Sequence, residues 1–118
     1  MGPRNTLATA ADRNSEAAVF EIAAGADGRA QVRGSLTFVT APQARLEGLE
    51  KFQRCGARAC EVDCSGVVKS DSAGLSVLLD WLAMAKRDGR SLRYVKLPEG
   101  VIALAKISEV EDLLQKGV

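Results

Sequence analysis

The stretch "VDCSGVVKSDSAGLSVLLDWLAMAKRDG", Val62 to Gly89, decides how the rest of the chain is read. An apolar, β-leaning run ends at Asp63 and Cys64. A small polar cluster follows, Lys69-Ser70-Asp71-Ser72-Ala73-Gly74, and then a long amphipathic segment. The passage predicts a buried strand over Ala59–Cys64, a connecting loop, and a helix from about Ala73 to Arg87 stopped by Asp88-Gly89.

Working outward, Ala17–Ile22 ("AAVFEI") reads as a first strand, and Gly25-Ala26-Asp27-Gly28 as a tight turn. Arg29–Phe38 alternates as a second strand pairing back on the first. Thr40 before Ala41-Pro42 is an N-cap followed by a proline in the first turn. Ala44, Leu46, Leu49 and Phe52 then repeat at helical spacing up to a stop before Gly56. Downstream, Ser91–Pro98 alternates as a strand with Leu92, Tyr94 or Val95, and Leu97 inward. Glu99–Gln115 is mainly helical, broken near Ser108, with Val101, Leu104, Ala105, Ile107, Val110, Leu113 and Leu114 on its apolar side. The order is ββαβαβα, an α/β domain whose alternation predicts right-handed crossovers and a mixed sheet with helices packed on it. Residues 1–16 are expected to be a disordered tail, native or added for expression, and residues 17–118 a single domain.

A chain of 118 residues, 47% hydrophobic and 26% charged, is long enough to bury a core without staples. Sixteen Lys plus Arg against 15 Asp plus Glu leave no basic excess for nucleic acid or an anionic membrane. No apolar run approaches the roughly 18 residues of a bilayer span. Cys55, Cys60 and Cys64 form no CxxC pair and no zinc spacing, and an odd number suits a reducing cytoplasm. Cys60 and Cys64, an even number of residues apart on one strand, should face the same way. With no histidine in the chain, serine–histidine catalysis is excluded. Neither a P-loop nor a G-x-G-x-x-G fingerprint occurs, and no metal or cofactor is expected. A non-enzyme fits this inventory best.

Ser70, Asp71 and Ser72 can each accept a hydrogen bond from the first turn of the following helix, and capping by one of them is worth about 1 kcal/mol. Three such residues exceed what a cap needs, and they stand just beyond the carboxyl end of a central strand, where open α/β sheets meet ligands and partners. Two readings stand side by side: capping alone, or capping combined with a partner or phosphorylation role. Within the helix, Leu75, Leu78, Leu79, Leu82 and Ala85 share the core face, while Val77, Trp81 and Met84 gather on nearly the opposite one. That second stripe is either a docking surface for a partner or a place where Trp81 leans onto a neighbouring helix or the amino-terminal tail. On the docking reading, Trp81→Ala weakens complex formation by about 2 kcal/mol or more and leaves the isolated domain folded.

These residues resemble the STAS family, which takes in anti-sigma factor antagonists, sulfate-transporter tails and MlaB, a subunit of a phospholipid ABC transporter. Gly34-Ser35-Leu36-Thr37 is similar to the family's G-x-L-T on the second strand, Val62-Asp63 with Ser65-Gly66-Val67 to its third-strand signature, and Asp71-Ser72-Ala73-Gly74-Leu75 to D-[ST]-x-G-L. Lys69 ahead of the motif and Leu104-Ala105-Lys106 in the last helix resemble the MlaB branch most. The resemblance implies a STAS-like α/β domain that is a cytoplasmic, non-catalytic interaction module, at the inner membrane only through its partner and without inserting into it. That partner would be the ATPase of a phospholipid ABC transporter maintaining outer-membrane lipid asymmetry. Asp71 and Ser72 would cap the helix and order the loop, Val77, Trp81 and Met84 would supply apolar contact, and Lys69, Ser70 and Arg87 would lie at its polar edge. In the antagonist branch the hydroxyl after the aspartate is the phosphorylation site, here Ser72, and the partner is an anti-sigma factor serine kinase. A small-ligand or nucleotide sensor using the helix N-terminus as an anion site is a third class.

Overall fold

A computed structural model describes residues 19–25, 27–53 and 59–118. The expected amino-terminal tail and Cys55 lie outside the described residues. The elements are β1 (Phe20–Ala24), β2 (Arg29–Leu36), α1 (Ala41–Gln53), β3 (Ala59–Ser70), α2 (Ser72–Arg87), β4 (Ser91–Val95), α3 (Glu99–Ile107) and α4 (Glu111–Lys116). They build one four-stranded sheet in the order β1-β2-β3-β4. β1 and β2 are an antiparallel hairpin, and β3 is parallel to both β2 and β4. The mixed sheet is as expected. The last helix is two, because Glu109 takes φ 59° after Ser108 and turns the chain before α4 begins.

Alternation places Phe20, Ile22, Ala30, Val32, Cys60, Val62, Cys64, Leu92 and Tyr94 in the core. The opposite side chains of the same strands face out and carry the exposed ion pairs Arg33–Glu21 (3.3 Å) and Arg93–Glu61 (2.7 Å). Exposed pairs of this kind contribute little, about 0–1 kcal/mol each.

β3 differs from the sequence reading, since it runs to Ser70 rather than ending at Cys64. Its pairing with β2 slips twice: Gln31 faces Asp63 but Arg33 faces Gly66, and Gly34 faces Val67 but Ser35 faces Lys69. Each slip inserts one extra residue in β3, a bulge that breaks period-two alternation and hides the strand from pattern reading. The second bulge turns Val68 outward at 80% exposure.

α1 also departs from expectation. Its buried residues are Ala41, Ala44, Gly48 and Phe52, while Leu46 is exposed. A Cβ on Gly48 would lie 2.2 Å from Trp81 Nε1 and 2.3 Å from Trp81 Cε2, so small residues face inward to admit the indole. Trp81 fills that space with Phe20 (centroids 6.2 Å) and Phe52 (5.2 Å, edge-on). Val77, Trp81 and Met84 are therefore core residues, because α1 packs on the second apolar stripe of α2. What α2 shows to solvent is a narrow stripe, polar except for Ala83: Ser72, Ser76, Asp80, Ala83, Lys86 and Arg87.

Two ionisable groups lie inside this core. Burial pushes the Cys64 thiol up to about 12, with the Asp63 carboxylate adding to the effect. Burial likewise raises the Tyr94 phenol well above its ordinary value, and its hydroxyl donates to Leu78 O at 2.6 Å. Both groups lose their protons more readily in the unfolded chain. Stability should hold below pH about 9 and fall as pH rises towards about 12, the interval between the ordinary and buried thiol values. Urea midpoints measured at pH 7, 8.5, 9.5 and 10.5 should be level at first and then decline; a midpoint rising above pH 9 would contradict this burial.

Candidate docking site at the carboxyl end of the sheet

β2 and β3 end side by side, with Leu36 opposite Ser70. The chain leaves β2 through a short turn, Thr37–Thr40, into α1, and leaves β3 directly into α2 through Asp71. Thr40 is buried and holds that turn from within: its Oγ1 accepts from the Thr37 N–H (3.0 Å) and donates to Ser35 O (2.8 Å). Thr40 stands just before α1 as expected, but its hydroxyl bonds back into the turn and not to the first N–H groups of the helix, as an N-cap side chain would.

Asp71 holds the other side. It is the N-cap of α2, in extended backbone, with Oδ1 accepting from the Gly74 N–H at 3.0 Å. Its Oδ2 accepts from the Phe38 N–H, also at 3.0 Å, which ties the start of α2 to the β2–α1 turn. Both oxygens are thus engaged by backbone donors, so the carboxylate is a clamp rather than a free base. Charge-assisted bonds of this kind are roughly twice as strong as neutral ones. Gly74 permits the arrangement, since a Cβ there would fall 1.9 Å from Leu36 O. The motif Asp71-x-x-Gly74 therefore has a physical basis: a cap, and a helix start pressed against the backbone of β2.

Ser72, the first residue of α2, is exposed, and so is Lys69; Ser70 is half-buried. The start of α3 joins the same end of the sheet, where a Cβ on Gly100 would meet Ser70 Oγ at 3.9 Å. Lys69, Ser70, Asp71 and Ser72, consecutive in the chain, lie together at this end of the sheet. Val77, Trp81 and Met84 cannot join them at a surface, because they are buried at 0%, 1% and 9% exposure. Arg87 does not join them either, since α2 places it at the far end of the helix from Ser72. Apolar surface is supplied instead by Phe38 (73% exposed) and Val39 (57%) on the β2–α1 turn, and by Val68 on the β3 bulge. The alternation missed them because it carries the second strand on to Phe38, two residues past its end at Leu36, and leaves Val68 in a loop after Cys64; the signal available for Phe38 and Val39 was the threonine-bounded turn around them.

Asp63, further down β3, accepts from the Ser65 N–H at 2.8 Å. Hydrogen bonds from Ser65 and the nearby Lys96 ammonium hold its carboxyl below the ordinary range. Among the described residues there is no group of histidine, cysteine and carboxylate side chains that could hold a metal ion. None of the described helices is long and apolar enough to cross a membrane.

A family model described as "Mlab, STAS domain" matches residues 19–115. The chain belongs to this STAS family. No curated protein matches it by sequence. Among solved structures, this STAS domain is similar to the anti-sigma factor antagonist SpoIIAA in its unphosphorylated form. The match has a TM-score of 0.58 at 11% identity, over 82% of this chain and 84% of that one. At that identity the likeness is one of fold. It agrees with the single α/β domain and mixed sheet described above, and the matched span runs from the residue before β1 into α4.

Proposed function

We propose that this STAS domain is a non-catalytic docking subunit that binds its protein partner through the carboxyl end of the sheet, and that the partner is the ATPase of a phospholipid ABC transporter. The observation that carries the docking reading is the exposure of Phe38 and Val39 on a turn that Thr40 holds and Asp71 ties to the start of α2, with Val68, Lys69 and Ser72 exposed along the strand end and helix start that adjoin it. Apolar side chains presented by fixed backbone, with a cation and hydroxyls beside them, have the make-up of an interface centre with a polar rim. The MlaB description of the family model supports the transporter branch. ATP hydrolysis would belong to the partner, and this chain would stabilise the assembled ATPase.

A second reading has its own support in the exposure of Ser72 one residue after the cap. In an anti-sigma factor antagonist, a kinase would transfer the γ-phosphoryl group of a nucleoside triphosphate to Ser72 Oγ. The O–P bond forms as the bridging bond to the nucleoside diphosphate breaks, and the hydroxyl proton passes to solvent. Added charge of about −2 beside Asp71 would then weaken the complex.

Affinity purification of the tagged full chain from its native cells in mild detergent, with mass spectrometry of co-purifying chains and of the Ser72 peptide, separates the two. An ABC ATPase and its permease with unmodified Ser72 are the expected result. A serine kinase together with phosphate on Ser72 would replace the transporter reading by the antagonist one.

A further inference from the structure

We infer that the amino end of the sheet, opposite the docking face, is a basic surface that rests on anionic phospholipid headgroups. This goes beyond the docking reading and does not depend on which partner docks. The composition hides such a surface, because 16 Lys plus Arg and 15 Asp plus Glu nearly cancel. The fold separates them.

β2, β3 and β4 are parallel and start side by side, with Arg29 opposite Glu61 and Glu61 opposite Arg93. α1 must therefore carry the chain back from the end of β2 to the start of β3, and α2 does the same between β3 and β4. Their last turns, with Lys51 and with Lys86 and Arg87, come down beside those strand starts. Arg90, on the turn from α2 to β4, donates to Phe52 O and Gln53 O and ties the end of α1 to it. On the other side of the same end, a groove of about 350 Å³ is lined by Arg29, Arg93 and, from the end of α4, Lys116.

Elsewhere among the described residues the cations are matched: Arg33 with Glu21, Arg45 with Asp80, Lys96 with Asp63 and Lys106 with Glu111, Lys69 being the exception. At the amino end Arg93 pairs with Glu61 and Arg87 with Asp88. Arg29, Lys51, Lys86, Arg90 and Lys116 have no ion-pair partner among the described residues. Asp27, which accepts from Arg29 N–H at 3.1 Å, and Glu50 are the other carboxylates there, and the cations outnumber them even with a carboxylate at Val118. The carbonyl ends of the helices offset part of this charge, but their field fades within a turn, and the exposed Arg29, Lys86 and Lys116 side chains reach past it. Because the unpaired cations come from separate elements across the whole end, an extended layer of anions is what meets them together. Apart from Arg90, none of their side chains is held by a hydrogen bond among the described residues, so nothing fixes the geometry that a protein partner would need. Headgroups that diffuse in the plane adapt to such side chains. Single strands of nucleic acid bind by stacking on aromatic side chains, and the exposed aromatic among the described residues, Phe38, stands at the opposite end.

The test is co-sedimentation of the full chain with vesicles of phosphatidylcholine and phosphatidylglycerol in equal parts. Binding should be present at about 0.05 M salt and gone at about 0.5 M, where screening confines the field to a few ångströms. Vesicles of phosphatidylcholine alone should bind nothing. Arg29→Gln, Lys86→Gln and Lys116→Gln together should weaken binding about a hundredfold, roughly fivefold for each charge near the surface. All three side chains are exposed, so the melting temperature should stay that of the parent. Lys69→Gln, at the docking end, should bind the vesicles as the parent does. Absence of binding to the phosphatidylglycerol vesicles at low salt overturns the inference. So does full binding by the triple variant, which would place the contact elsewhere in the chain, and so does an equal loss in Lys69→Gln, which would place it at the docking end. Binding of a DNA duplex as tightly as the vesicles, lost in the same triple variant, would overturn it in favour of a nucleic-acid surface.

Discussion

Trp81→Ala should destabilise the isolated domain by about 3–5 kcal/mol, the range for removing a large aromatic from a core. The indole is 1% exposed, wedged between Phe20 and Phe52 and seated against the bare backbone of Gly48. Its removal leaves a void that α1 cannot close. Beside Phe52, α1 offers only the small Ala44 and Gly48 on that side, and Leu46 would have to rotate in from solvent. Against a typical total stability of about 5–15 kcal/mol, the loss should lower the melting temperature by roughly 10–25 °C. Circular dichroism on heating and in urea measures it without needing the tryptophan signal. A variant that melts within a few degrees of the parent but no longer binds its partner would restore Trp81 to the surface and remove it from the core. Of the two readings of the sequence, this follows the one in which Trp81 leans onto a neighbouring helix and runs against the docking one, on which the same substitution spares the fold and weakens only the complex.

Gly74→Ala should cost about 3 kcal/mol, at the upper end of overpacking. In an unobstructed helix the same change is favourable by roughly 0.5–1 kcal/mol, because glycine is the poorer helix former. Here space reverses the sign. A Cβ would lie 1.9 Å from Leu36 O and 2.8 Å from Leu36 C, both backbone atoms of β2 that cannot swing aside. The first turn of α2 must back away, stretching the Asp71 cap to Gly74 N–H and the tie from Asp71 to Phe38 N–H. The loss of stability should therefore come with a disturbed docking face, visible as shifted Phe38 and Thr37 amide resonances at temperatures where the chain is still folded. Equal or higher stability than the parent would mean that α2 and β2 are farther apart than described.

Both predictions concern the α2 segment with which the sequence reading began, and they mark where that reading succeeds and where it stops. The hairpin, the proline-marked start of α1, the strand–helix–strand alternation and the apolar face Leu75–Leu78–Leu82–Ala85 follow from local chemistry: turn residues, caps and period. The cluster Lys69–Ser72 was legible for the same reason, since a cap and the helix that it starts are neighbours in sequence. β3 looks shorter in the sequence than it is because two bulges interrupt its alternation, and a bulge is set by the partner strand rather than by the strand's own residues.

By itself, then, the sequence determined the α/β class, the order of its strands and helices up to the split of the last helix, and the place of the polar cluster. Periodicity and capping act over a few residues, so one chain segment suffices to state them. Only the tertiary structure decided which apolar residues are core and which are surface. Leu46 is exposed although its spacing puts it on the apolar side of α1, and Trp81 is core although it stands on the second stripe of α2, because burial depends on what packs opposite, and Gly48 opens room for the indole. The same is true of Phe38, Val39 and Val68. Their exposure comes from a threonine inside a turn, a carboxylate from another element and a slip in strand register, none of which lies in the residue that they place.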